Sequence, residues 1–402
     1  MNGASVEQIR HMNPLILVLD AEQRSALATV RSLGRQGLRV MAAGATEHAL
    51  AGSSRFCTQY RRCPDPAAAP EDFLAWLAST VADAGVTFLL PVTEVSSQLL
   101  LKHRAFLPAG CVMPFTDLQT LMRLSHKGEL VRLASRMGVP CPDTRFFENA
   151  SELDPASVTT FPVVLKPCLS RIDLGAKWLS TSVRIVRNRD ELTSALGSGA
   201  EFRSHPFMLQ SFIPGTGAGV FALYDHGREV ATFAHRRLRE KPPAGGVSVL
   251  SESAEPLPAA LAAARKLLST VKWHGVAMVE VRVAHDGTPY LMEVNTRLWG
   301  SLQLAIDAGM DFPWLLYQVA NGRDPVVPES YRVGKRLRWW LGDLDSLYLF
   351  LRDRRNRLPA KLRRVVQFLT PDPCRTSHEV FRWSDPMPAW RELRNWISML
   401  RN

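Results

Sequence analysis

The stretch from Val276 to Gly309, VAMVEVRVAHDGTPYLMEVNTRLWGSLQLAIDAG, constrains this chain more than any other, because its pattern sets two carboxylates, an amide and a guanidinium on adjacent strands. Val276 to Val283 alternates or runs apolar, His285-Asp286-Gly287-Thr288 carries the Asp-Gly of a hairpin turn, and Pro289 to Val294 is a second short apolar run. The segment therefore predicts a β-hairpin. Glu280 falls in the first strand and Glu293 near the end of the second, so pairing across the turn brings both onto one face. Two carboxylates so placed repel unless a cation sits between them. Asn295 adds a neutral oxygen ligand on the same side of an extended chain, and Arg297 continues the row. Hard oxygen ligands of this kind suit Mg²⁺ carrying phosphates. Glu280 alone reads more simply as a solvated acid, but Glu293, Asn295 and Arg297 between apolar strand residues do not.

Three upstream segments carry further signals. FPVVLKP, Phe161 to Pro167, is a buried-strand pattern ending in Lys166, which is costly to place after four apolar neighbours unless it meets an anion or snorkels to water. LMRLSHKGELVRLASRMGVPCP reads as one amphipathic helix followed by a Gly-Val-Pro turn, and helix spacing alone puts its Lys127 on the surface. FMLQSFIPG, Phe207 to Gly215, is a strand running into a Pro-Gly turn. Beyond it, VFALYDHGREVATFAH reads as a second hairpin, and the cations that follow, Arg237, Arg239 and Lys241, alternate, so an extended segment points all three to one side.

The glutamate, the Asp-Gly turn and the run MEVNTRLWGS together resemble the metal-binding end of the ATP-grasp superfamily, most of whose members ligate a carboxylate to an amine or other nucleophile using ATP. The resemblance covers roughly Ile16 to Gly322. It implies that Lys127 and Lys166 hold nucleotide phosphates, that Gln210, Ser211, Phe212 and Ile213 form the adenine slot, and that Arg237 and Arg239 face the γ-phosphate. Gln210 stands where many relatives have an acid for the adenine amino group. The segment after Lys166, CLSRIDLGAKWLSTSVRIV, departs from the family, since Gly175 is its only glycine where relatives carry several in a phosphate-covering flap. Ser170, Arg171 and Lys177 offer side-chain donors instead, in a flap expected to move until nucleotide binds.

The chain is long enough for two or three domains at 402 residues and 46% apolar. From Pro14, LILVLD, a helical AEQRSALATVRSLGRQG and LRVMAA form a βαβ unit of parallel type without the GxGxxG of a dinucleotide site, which disfavours a dehydrogenase. A helix over Pro70 to Gly85 and the strand TFLLPVT lead to Glu94. This residue and the pair His103-Arg104 read as a cap and surface charges before they read as substrate contacts. No GxSxG elbow or CxxC pair occurs. Six dispersed cysteines, a polar opening MNGASVEQIRHMN and the lack of a long apolar span point to a reducing cytoplasm.

The tail differs. In GKRLRWWLGDLDSLYLFLRDRRNRLPAKLRRVVQFL cations interleave with apolar residues recurring at three and four, which gives one or two basic amphipathic helices and much of the net charge of +11. A lid packed on the preceding domain is the first reading, and a helix on an anionic membrane surface at the inner face is the second. Nucleic acid is disfavoured by the embedded Asp343, Asp345 and Asp353.

The fold class expected is α/β and α+β. A Rossmann-like domain over 1–115 precedes a small ATP-grasp subdomain over 116–204, a large metal-bearing one over 205–323 and a basic helical tail over 324–402. The expected partners are ATP, Mg²⁺ or Mn²⁺, and a small carboxylate and amine. Glu280, Glu293 and Asn295 are the metal ligands, and Arg297 with Asn295 the catalytic pair, Arg297 stabilising the tetrahedral oxyanion formed when the amine attacks an acyl phosphate. The alternatives are a non-catalytic ATP-binding regulatory module and a membrane-surface interaction protein led by the tail.

Overall fold

The computed structural model describes residues 14–243, 245–370, 372 and 374–401; the reading of the first thirteen residues as a polar segment lies outside them. The first sheet is parallel, in the order β3-β2-β1-β4, from β1 (Leu15–Val18), β2 (Arg39–Gly44), β3 (Gln59–Arg62) and β4 (Val86–Leu90). All four residues of β1 are buried, as a parallel strand covered on both faces requires. The helix Pro70–Ala84 has proline in its first turn, Glu71 and Asp72 at its positive end and left-handed Gly85 (φ 67°) at its C-cap. Where a dinucleotide fold has its glycine loop, Asp20 (φ 55°) instead turns its carboxylate onto the backbone N–H groups of Val92 and Thr93 and the hydroxyl of Ser96.

The second sheet, β5-β10-β6-β9, is antiparallel and pairs β5 (Thr144–Phe147), β10 (Phe207–Ser211), β6 (Val163–Pro167) and β9 (Arg184–Val186). It has its own core, in which Leu165, Leu192, Phe202 and Phe207 are fully buried. A hairpin of β7 (Arg171–Asp173) and β8 (Trp178–Ser180) projects from it. This is the glycine-poor flap, and it is pinned to the first unit: Trp178 N–H donates to the Ala67 carbonyl (3.0 Å) and Lys102 Nζ to Asp173 (2.8 Å).

The third sheet has seven strands in the order β15-β14-β11-β12-β13-β16-β17. They are β11 (Gly215–Asp225), β12 (Arg228–Lys241), β13 (Val247–Ser253), β14 (Gly275–Ala284), β15 (Pro289–Asn295), β16 (Arg336–Arg338) and β17 (Thr376–His378). Its apolar side chains merge with those of the first sheet: Leu17 and Leu89 share a core with Ala222 and Val279, and Ile16 and Phe88 share another with Phe221 and Trp299.

Two elements differ from the sequence reading. The single helix expected around Lys127 is two helices, Leu118–Ser125 and Lys127–Arg136, broken at His126 (φ −77°, ψ 103°). The break lets Lys127 N–H donate to the Cys168 carbonyl (2.8 Å) while the His126 ring caps Glu129 N–H (3.1 Å). Gly128 permits that approach, since a Cβ there meets Cys168 Sγ at 3.1 Å. Lys127 is consequently buried, not on the surface.

The tail is also more than helices. Its short β16 and β17 extend the third sheet, β16 pairing antiparallel with β13 and parallel with β17. The segment after β17 clamps the first unit, where the buried Arg31 guanidinium donates to Asp385 (2.8 Å) and to the carbonyls of Glu379 and Val380. The helix Trp340–Arg352 packs on β12 and β13, as a lid helix would, and buries Asp343 completely. Asp343 accepts from Arg239, Arg338 and Arg364. Among the described residues no helix is long and apolar enough to cross a membrane.

Three guanidiniums converging on one buried carboxylate make a sharp prediction. Asp343→Asn should destabilise the fold by about 3–5 kcal/mol, the cost of leaving buried charges uncompensated. Urea unfolding at neutral pH measures it, and a loss under about 1 kcal/mol would mean that water reaches the cluster.

Candidate active site

A cavity of about 470 Å³ opens between the second sheet and the third. Alternation on β14 turns Met278, Glu280 and Arg282 toward it while Val279 and Val281 enter the core. On β15 the ladder shifts between Glu280 and Val281: Glu280 faces Glu293, Val281 faces Leu291, and Met292 is the extra residue. Such a bulge re-aims its strand. Met292 and Glu293 both line the cavity, and the Met292 carbonyl accepts from Lys166 Nζ at 2.7 Å. Lys166, arriving from β6, is almost wholly buried, and burial pushes its ammonium below the ordinary lysine range despite Glu293 nearby.

Glu280 and Glu293 thus form a like-charged pair directly opposite in the ladder. They are not equivalent. Burial opposes the charge on Glu293, but Lys127, Lys166, Arg237 and Arg297 outweigh it and hold the carboxyl at about 2. The same burial raises Glu280, with Glu293 adding to the rise and Arg237 opposing it. Arg237 Nη2 reaches Glu280 Oε2 at 2.5 Å and its Nη1 reaches Glu240 Oε1 at 3.1 Å. Although burial works against its charge, these two acids keep Arg237 above the ordinary arginine range. Lys127 Nζ lies 3.7 Å from Glu293 Oε2 and donates to Ser170 Oγ at 2.6 Å, so the flap and the first lysine are joined. Asn295 Nδ2 points toward Glu293 Oε1 (3.4 Å).

Of the residues expected at the site, Lys166, Gln210, Ser211, Phe212, Ile213, Arg237, Glu280, Glu293, Asn295 and Arg297 line the cavity. Lys127 lines an adjoining recess of about 20 Å³ with Glu94, Ser170, Glu293, Asn295 and Arg297. Gln210 is buried and donates through Nε2 to Thr144 Oγ1 (3.0 Å). Arg239 does not join them. The β12 ladder shifts on either side of it, Leu238 has no partner, and the expected single row of cations is split. Arg237 and Glu240 face the cavity, whereas Arg239 turns to Asp343 (2.8 Å from Nε) and Lys241 to Asp345. Arg171 lies outside the cavity on the flap, where it donates to Ser180. Arg104 donates to the Met113 carbonyl (3.4 Å), away from the site, but Glu94 enters it, at the first position of a helix capped by Thr93.

His235, Arg282, Arg24 and the Met292 carbonyl were not picked out by sequence. For His235 a signal existed, since it stands two residues before Arg237 on the same strand. Its ring is buried edge-on against Phe221 (centroids 4.5 Å apart), Nδ1 lies 3.4 Å from Ser301 Oγ, and Nε2 has no partner among the described residues. Burial, reinforced by Arg237, depresses it to about 3. The unfolded chain takes up this proton near 6.5 and the folded one does not, so the stability His235 contributes is complete above about pH 6.5 and is lost as pH falls toward 3. Between pH 6.5 and 5 the loss is about 2 kcal/mol. His235→Gln should remove that slope, as urea unfolding at the two pH values will measure; an unchanged slope would mean that the imidazole titrates normally.

Residues 203–340 match the family model described as ATP-grasp in the biosynthetic pathway with Ter operon. No curated protein sequence matches the chain. Among solved structures, the chain is similar to an L-amino acid ligase from Bacillus licheniformis, with a TM-score of 0.58 and 19% identity over 77% of this chain and 74% of that one. It is also similar to the biotin carboxylase–β-γ-ATP complex from Campylobacter jejuni, with a TM-score of 0.62 and 17% identity over 80% and 74%. A third is the biotin carboxylase domain of Hydrogenobacter thermophilus 2-oxoglutarate carboxylase with MgADP, ADP and bicarbonate, with a TM-score of 0.58 and 16% identity over 80% and 73%. At these identities the likeness is one of fold.

Proposed function

The chain has the ATP-grasp fold, and we propose that it is an ATP-dependent ligase that joins a carboxylate to an amine, giving an amide or peptide bond, ADP and phosphate. The observation that carries this reading is the convergence of Lys127, Lys166, Glu280, Glu293, Asn295 and Arg297 from both walls onto one cavity and its adjoining recess. The domain division at 115, 204 and 323 is part of this proposal; β10 (Phe207–Ser211), beyond the boundary at 204, pairs within the second sheet and shares its core.

The donor set fits a divalent cation. Glu280 and Glu293 are opposed acids, and Asn295, whose Nδ2 is turned to Glu293, has Oδ1 left to coordinate. Mg²⁺ or Mn²⁺ held there would neutralise phosphate charge. The apolar edges of Val164, Ile185, Phe212 and Ile213 suit a purine, and Gln210, with Nε2 committed to Thr144, presents its acceptor oxygen where an adenine amino group would donate. Lys127 and Lys166 would hold phosphate oxygens, and Arg237 would bear on the γ-phosphate.

The substrate carboxylate oxygen attacks the γ-phosphorus, ADP leaves, and an acyl phosphate forms. The amine nitrogen then attacks the acyl carbon, Arg297 bears the oxyanion, and phosphate leaves as the nitrogen loses its proton. One feature favours the binding-only alternative: Arg237 already holds Glu280 and must share it with the metal.

Release of ADP and phosphate from MgATP across a matrix of amino acids and amines tests the reading. Turnover requiring both a carboxylate and an amine, and abolished in Glu293→Gln, is expected; tight ADP binding with no turnover for any pair would favour the binding module. Lys166→Ala should weaken MgADP by about 2 kcal/mol, roughly 30-fold, by titration calorimetry. Unchanged affinity would remove Lys166 from the phosphate site.

A further inference from the structure

The helix Leu358–Leu369 is held by one face. Arg364 reaches Asp343 (3.1 Å), and Phe368 is buried, 6.5 Å from the Trp340 ring with the Arg338 guanidinium 4.3 Å over it. The other face carries Leu358, Leu362, Val366 and Leu369, which are 69%, 59%, 58% and 69% exposed. At 3.6 residues per turn these four fall within about a quarter of the circumference, on the side away from Arg364 and Phe368. An aliphatic stripe left in water at successive turns marks an interaction surface.

The charge around the stripe says what it meets. Lys361 and Arg363 project about 100° to either side of it. Arg352, Arg354, Arg355 and Arg357 stand exposed on the approach to the helix. The one acid among them, Asp353, is bound by Arg355. We propose that this helix is a docking element that lies on an anionic phospholipid surface, with its aliphatic stripe among the acyl chains and its flanking cations at the headgroups. A stripe with cations on both sides matches a flat layer that is apolar below and anionic above. A symmetric pairing of two copies of the chain would bring these cations face to face, and nucleic acid offers the exposed aliphatics nothing. The surface is separate from the nucleotide cavity, so the proposal stands whether or not the ligase reading does.

The test is sedimentation of the full chain with phosphatidylcholine vesicles, with and without about 30 mol % phosphatidylserine, at low and high salt. Anionic vesicles should bind at least tenfold more tightly. Leu362→Gln with Val366→Gln should lose about tenfold, and the triple change Arg354→Gln, Arg357→Gln, Arg363→Gln should lose both affinity and salt dependence. These residues are exposed, and an unchanged melting temperature confirms that each variant is folded. Equal or absent binding to the two vesicle types would overturn the proposal. So would a Leu362→Gln/Val366→Gln variant that binds like the parent, or light scattering that shows a dimer dissolved by that change, which would make the stripe a contact between copies.

Discussion

The repulsion between Glu280 and Glu293 organises much of this molecule. Two acids directly opposed in a ladder are unfavourable, and burial makes them more so. The fold answers with cations from four places: Lys127 from a helix start, Lys166 from the second sheet, Arg237 from β12 across the intervening β11, and Arg297 from beyond β15. Three of the four depend on a particular structural device. Lys127 needs the break at His126, and Arg237 needs its alternation with the core residues of β12. The contact of Lys166 with Met292 depends on the β15 bulge.

Asymmetry within the pair follows. Glu293 faces the two lysines and is held ionised, whereas Glu280 is partnered chiefly by Arg237 and is raised. A divalent cation would relieve both and compete with Arg237 for Glu280. The electrostatics of the site and the proposed chemistry are therefore two sides of one arrangement: the cations that offset the two acids are also placed to meet phosphates.

Much of this was legible in sequence where a local rule fixed geometry. The Asp-Gly turn marked the hairpin of β14 and β15, although the register it begins leads to Glu280 opposite Met292 and only the bulge brings Glu293 there; four apolar residues before Lys166 marked a buried lysine. The misreadings have equally local causes. One unpaired residue, Leu238, reversed the faces of Arg239 and Lys241, and nothing in the alternation announces a bulge. The burial of Lys127 depends on a contact with Cys168, distant in sequence. Strands β16 and β17, three residues each, are too short to show a period, so the tail read as helices alone. Glu94 looked like a cap because its position beside Lys127 and Arg297 arises only when three units meet.

The central claim is that nucleotide sits between the second and third sheets, touching both. Hydrogen exchange with and without MgADP tests it directly. Slowed exchange in both 207–213 and 278–297 is the result this account predicts, with the flap around Ser170 slowed as well. Protection confined to one wall, or absent from both at saturating MgADP, would contradict it.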